Sequence, residues 1–123
     1  MVREIIIILV IIISIVVVDY ITQNFTKESV ENTSNLLRNL KTELEQRNSK
    51  SLNKILEEWN KRKEKLAYFI EHDELEKVET NLINIKSSIE LNDLNIAFNC
   101  IDETVFMLEH IKDKNSFNLE NIF

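Results

Sequence analysis

From Ile5 to Val18 the chain reads IIIILVIIISIVVV, thirteen aliphatic residues and one serine between Arg3-Glu4 and Asp19. A run this apolar has its natural home in a lipid bilayer, and it decides where everything after it must work. As a helix rising about 1.5 Å per residue, it spans roughly 21 Å, short of the ~30 Å hydrocarbon core. Counting Met1-Val2 and Tyr20-Ile21 as interfacial turns closes the gap, with Arg3 snorkelling and Tyr20 in the aromatic belt. A residual mismatch costs only fractions of a kcal/mol per Å, so local thinning of the bilayer is tolerable.

A cleaved secretory signal would need a small-x-small site after the run. The residues that follow are Asp19, Tyr20, Ile21, Thr22, Gln23 and Asn24, and no Cys follows that could carry a lipoprotein anchor. The β-branched run could also form a buried strand, but no partner strand is recognisable. The run is therefore expected to be an uncleaved signal-anchor that contacts the bilayer through Ile5–Val18. Arg3 and the α-amine outweigh Lys27 and Arg38, each diluted by Asp19, Glu28 and Glu31. By the positive-inside rule the N-terminus is then cytoplasmic and the body extracytoplasmic, in a single-pass cell-membrane protein.

The body is patterned for helices. Across 123 residues there is no Gly and no Pro, so helix breakers and the usual φ > 0 turn residues are both missing. Long helices joined by short Asn, Asp and Ser turns are the expected result. A first stripe runs Val30, Thr33, Leu37, Leu40, Leu44. A second begins one position out of register, at Leu52, Ile55, Leu56, Trp59, Leu66, Phe69 and Ile70. Between them Asn48–Ser51 could be a kink, a register shift or a loop. Asp73 followed by Glu76 resembles an N-cap with its capping box, opening the stripe Leu75, Val78, Leu82, Ile85, Ile89. After Asn92-Asp93 the last stripe is Leu94, Ala97, Phe98, Ile101, Val105, Leu108, Ile111. Turns this short force neighbouring helices antiparallel. The expected fold is all-α: a transmembrane helix (residues 1–21) followed by an antiparallel bundle of about three long helices (residues 22–123). The first bundle helix would run on from the anchor with only Thr22 to Thr26 between.

Chemistry is sparse. The net charge of −6 argues against nucleic acid and leaves no basic patch for anionic lipid. His72 lies in Glu71-His72-Asp73-Glu74, but consecutive helical positions diverge too far to share one metal. The plain reading is a solvated turn, with Asp73 capping and His72 at the preceding C-terminus. His110 would sit near a helix C-terminus at the same end of the bundle, which is the one place for a two-histidine metal site. The Glu-x-x-His bundle motif fails, because the Glu positions hold Phe69 and Met107. The single cysteine, Cys100, cannot form an internal disulfide and reads as a small buried residue. Trp59 reads as a core aromatic. The sequons Asn24-Phe25-Thr26 and Asn32-Thr33-Ser34 are matches that an Asn-rich chain produces by chance. No phosphate loop, nucleophile elbow or zinc pair is present. No catalytic, cofactor-binding or metal residues are assigned, and the chain is not expected to be an enzyme.

The anchor, mid-chain Trp59, the His72-Asp73-Glu74-Leu75 turn, His110-Ile111 and the terminal stretch Phe117 to Phe123 together resemble a bacterial family, domain of unknown function 4363. The resemblance implies a small single-pass membrane protein and carries over no activity, substrate or site residue.

Two functional classes follow. One is an interaction module that binds another membrane or envelope protein. The other is an extracytoplasmic ligand-sensing bundle, which would need a partner to carry its signal, because no second membrane segment or output domain is recognisable. An exposed apolar patch favours the module and an enclosed polar cavity favours the sensor. The stripe Val30, Leu37, Leu40, Leu44 is narrow, like a coiled-coil seam, and flanked by Asn32, Asn35 and Asn39. It is the expected surface for a homo-oligomer or partner helix, the alternative being that it folds onto its own bundle.

Overall fold

The computed structural model describes the backbone of residues 1–122 and the side chains of residues 1–115. Four helices follow one another: α1 (Val2–Glu45), α2 (Lys50–Leu66), α3 (His72–Glu90) and α4 (Leu94–Ile122). The expected all-α architecture is present, and the apolar run and the first bundle helix are a single rod. With no breaker between Thr22 and Thr26, the backbone ladder is never interrupted. At about 1.5 Å per residue, the rod is roughly 66 Å long.

The two ends of α1 live differently. Every aliphatic residue from Ile5 to Val18 is 40–61% exposed, and none of this stretch is buried among the described residues. By length and composition it is a candidate membrane span. Ser14 satisfies its hydroxyl on its own helix, donating to the Val10 carbonyl at 2.8 Å. From Thr26 onward the rod enters the bundle, with α2 on one flank and α4 on the other, while α3 packs mainly on α4. Cross-helix bonds fix the directions. Gln23 and Thr26 lie beside Asn115, Lys41 beside Asp102, and Arg62 beside Ser29. Asn81 lies beside Met107. Each pair runs antiparallel, giving an up-down-up-down bundle.

The core is drawn from the stripes. Leu37 and Leu40 on α1, Ile55 and Trp59 on α2, Val78, Leu82 and Ile85 on α3, and Ala97, Ile101 and Leu108 on α4 are all buried. The expected seam Val30, Leu37, Leu40, Leu44 thus faces its own bundle, which corrects the intermolecular reading. Its narrowness reflects buried hydroxyl residues that complete the same face, Thr26, Ser29, Thr33 and Ser34. Leu94, counted in the last stripe, is instead exposed.

Turn chemistry departs from expectation in instructive ways. Of the expected break Asn48–Ser51, only Asn48 and Ser49 lie in the loop that reverses the chain; Lys50 and Ser51 already belong to α2. Arg47 takes φ 59° and Asn92 φ 57°, the left-handed position that glycine usually fills after a helix. Asn48 N–H then reaches Glu43 O at 2.9 Å, and Asp93 N–H reaches Ser88 O at 2.8 Å. These are Schellman closures made without glycine. The Glu43 carboxylate accepts from Ser51 N–H at 2.7 Å and from Ser51 Oγ at 2.6 Å, so α1 itself caps α2. Asp93 caps α4 through Ile96 N–H at 3.2 Å. Asp73 does not cap: α3 starts at His72 with Glu71 before it and no side-chain cap bond. The extended backbone at Glu71 already turns its carbonyl to Glu74 and Leu75. Asp73 and Glu74 instead sit in the first turn, where negative charge complements the helix dipole. His72 therefore opens α3 rather than closing α2, and His110 lies well inside α4. The terminal stretch Phe117 to Phe123 lies outside the residues whose side chains are described.

Three stability outcomes follow, each measurable by denaturant melts. Leu82→Ala or Ile101→Ala should cost roughly 2–5 kcal/mol, as buried large-to-small changes do. Charging the seam with Leu37→Glu and Leu40→Glu should unfold the whole bundle, since it would bury two unpaired carboxylates. Arg47→Gly should stabilise by about 0.5–1 kcal/mol, by relieving a left-handed non-glycine residue. An unchanged melt in the doubly charged chain would return the seam to an intermolecular role.

Candidate functional site

Most large apolar side chains of the bundle are buried, so those left outside stand out. Phe106 on α4 is 74% exposed. The helical period explains it: Ile101, Thr104, Val105 and Leu108 point inward, and the next position after Val105 is turned about 100° away. Phe106 and the half-buried Met107 line an open cleft of ≈ 730 Å³ along α3 and α4, bordered by Asp73, Glu76, Lys77 and Glu103. A neighbouring recess of ≈ 180 Å³ continues it past His110 and Ile111. Asn81 leans on the Met107 sulfur at 3.9 Å. The cleft is thus an aromatic and thioether floor with a mainly acidic rim.

The two histidines do share one end of the bundle, but each meets its own carboxylate. His72 Nε2 lies 4.0 Å from Glu76, and His110 Nε2 lies 4.0 Å from Glu74. Among the described residues, no three His, Cys, Asp or Glu side chains converge as metal donors. The surrounding charges are tied together by Lys114, whose ammonium reaches Glu71 at 3.0 Å and Glu74 at 3.4 Å. The hydrogen bond to Glu71 is the main reason that its pKa is raised. Lys112 is raised likewise, first by its hydrogen bond to Glu109. Such surface pairs are screened by water; they orient side chains but do not build a site.

Trp59 is buried, as its stripe implies, and its indole N–H meets no acceptor among the described residues. It borders a void of ≈ 10 Å³ lined by Val30, Leu66 and Leu108, about the room a single water needs and too small for an organic ligand. A second, polar cleft of ≈ 370 Å³ opens between α1 and α4, lined by Tyr20, Asn24 and Lys27 among others. Both sequon hydroxyls are built into the bundle. Thr26 Oγ1 donates to Thr22 O at 2.9 Å and accepts from Asn115 at 3.1 Å, while Ser34 is fully buried. Cys100 is half-buried beside the core, and burial, with Glu103 nearby, holds its thiol above the usual range. It is a poor nucleophile there.

A family model described as "Domain of unknown function (DUF4363)" matches residues 16–122. No match is found to a curated protein or to a solved structure.

The raised groups set an alkaline limit. Cys100, Lys112 and Lys114 all hold their protons more tightly folded than unfolded. Stability should therefore fall as pH rises past the ordinary thiol value of 9.0, and further past the lysine value of 10.5, because the folded state then binds more protons. Urea midpoints measured upward from neutral pH should show the decline, and Cys100→Ser should remove its first part. A flat profile would mean that the three groups do not feel the fold.

Proposed function

The chain belongs to the DUF4363 family, and we propose that it is a membrane-anchored helical interaction module whose α3/α4 face binds another membrane or envelope protein. The reading takes Ile5–Val18 as a single membrane pass, with the N-terminus cytoplasmic and the bundle outside. It assigns no catalysis. One observation carries it: Phe106 stands exposed beside Met107 in an open cleft, on a bundle that otherwise buries most of its large apolar side chains. Aromatic and Met side chains are the residue types enriched at the centres of protein interfaces. The rim adds a preference. Asp73, Glu76 and Glu103 outnumber Lys77, so the fitting partner is a helix that carries basic residues around one large apolar side chain.

The sensing alternative draws support only from the polar cleft between α1 and α4. That cleft is open, and the enclosed void at Trp59 has no room for a ligand.

A photo-crosslinking amino acid at Phe106 should give a discrete adduct in intact cells, and the same probe at exposed Lys54 on α2 should give none. Phe106→Asp should abolish partner recovery while leaving the thermal melt nearly unchanged, because the ring is exposed. Equal adducts from both positions, or none from either, would sink the proposal; an adduct at twice the chain mass would name a second copy as the partner.

A further inference from the structure

We propose that the end of the bundle where α2 turns into α3 rests in the headgroup layer of the bilayer that α1 enters, with Tyr68 as its interfacial anchor. The inference rests on the membrane-anchored reading above and adds a second contact to it.

Distance is the first argument. The apolar run stops at Val18, and among the described residues the first cross-helix bonds of the bundle fall at Gln23 and Thr26, both to Asn115. At about 1.5 Å per residue, Thr26 stands only about 12 Å beyond Val18. The headgroup region occupies the first 5–8 Å or so of that gap on each side. No loop intervenes, because α1 is one helix from Val2 to Glu45. The bundle therefore cannot drift away from the surface. The shortness of the run acts in the same direction, since a span of roughly 21 Å draws the headgroups toward Tyr20 and Ile21.

The second argument is what lies at that level. The α2–α3 turn is held there by Phe69, whose ring meets Phe25 edge-on at a centroid distance of 6.0 Å. Phe25 is nearer the run than any buried residue of the bundle. Next to Phe69 in the turn, Tyr68 is 90% exposed. An aromatic ring wholly in water is poorly placed in a monomer, whereas a tyrosine at a lipid interface buries its ring and keeps its hydroxyl wet. The polar cleft between α1 and α4 opens at the same level, with Tyr20, Asn24 and Lys27 on its wall. Charges here are mixed, Lys27, Lys112 and Lys114 against Glu71, Asp73 and Asp113. The fitting occupant is a zwitterionic headgroup layer rather than an anionic patch. The opposite end supplies the contrast. Leu91, 80% exposed between α3 and α4, stands about 30 Å further out, the length of α1 from Thr26 to Glu45.

The full chain, with Cys100→Ser, is reconstituted into phosphatidylcholine vesicles that carry a headgroup nitroxide lipid. A fluorophore is placed at Ala67→Cys, which leaves Tyr68 intact, at Tyr68→Cys, or at Leu91→Cys. Quenching several-fold stronger at 67 and 68 than at 91, unchanged by added phosphatidylglycerol, is the expected result. Equal quenching at the three positions, in vesicles that float with the protein and keep it through a carbonate wash, would overturn the docked turn and leave the anchor standing. Protein that washes off would overturn the anchor and the proposal together. Protection at 67 and 68 without lipid quenching, rising with protein density, would assign the turn to a second copy instead.

Discussion

The bundle depends on one face of α1. Leu37, Leu40 and Leu44 of that face are buried between α2 and α4, and each side chain so removed from water contributes about 1.5–3 kcal/mol. The other three helices are paired in sequence, but without α1 they share only the α3–α4 contact and a weak one between α2 and α3. The same rod carries the apolar run, so under the proposed anchoring the element that organises the core would also set its position beside the membrane.

The face is not uniformly apolar. Toward the run it becomes Thr26, Ser29, Thr33 and Ser34. Thr26 returns its hydroxyl to its own helix, and Ser29 accepts from Arg62 at 3.0 Å. Thr33 Oγ1 and Ser34 Oγ find no partner among the described residues, and an unmet buried hydroxyl costs roughly 1–3 kcal/mol. Small residues let the helices approach closely, and Trp59, Leu66, Ile70, Leu75, Leu108 and Ile111 from the other helices complete the core at this end. The outer half sets Leu37, Leu40 and Leu44 against Ile55, Ile85 and Ile101. The inner half adds Phe25 on Phe69.

How much of this the sequence discloses varies with the range of the interaction. Stripes are local, and those of α2, α3 and α4 lie where the period places them, with Trp59, Leu82 and Ile101 inside. The missing glycines and prolines foretell the uninterrupted α1. What fails is what depends on a neighbour. Asp73 with Glu76 matches a cap by spacing, yet the backbone at Glu71 makes the cap unnecessary. The Glu43 bond to Ser51 crosses a turn, and no sequence pattern announces it. The seam at Val30, Leu37, Leu40 and Leu44 looks too narrow for a core because Thr26, Ser29, Thr33 and Ser34 read as polar until a second helix covers them. Phe106 could have been found by asking which aromatic falls off its stripe.

One consequence of the unbroken α1 concerns reach. Phe106 lies nine positions up α4 from Asn115, which sits level with Gln23 and Thr26. Counting rises along the two helices puts its ring about 25 Å above the end of the apolar run. A flexible stalk would let the bundle search a hemisphere of space. A rigid one, if Ile5–Val18 anchors the chain as proposed, would be a ruler that favours membrane-bound partners offering their own contact at that height.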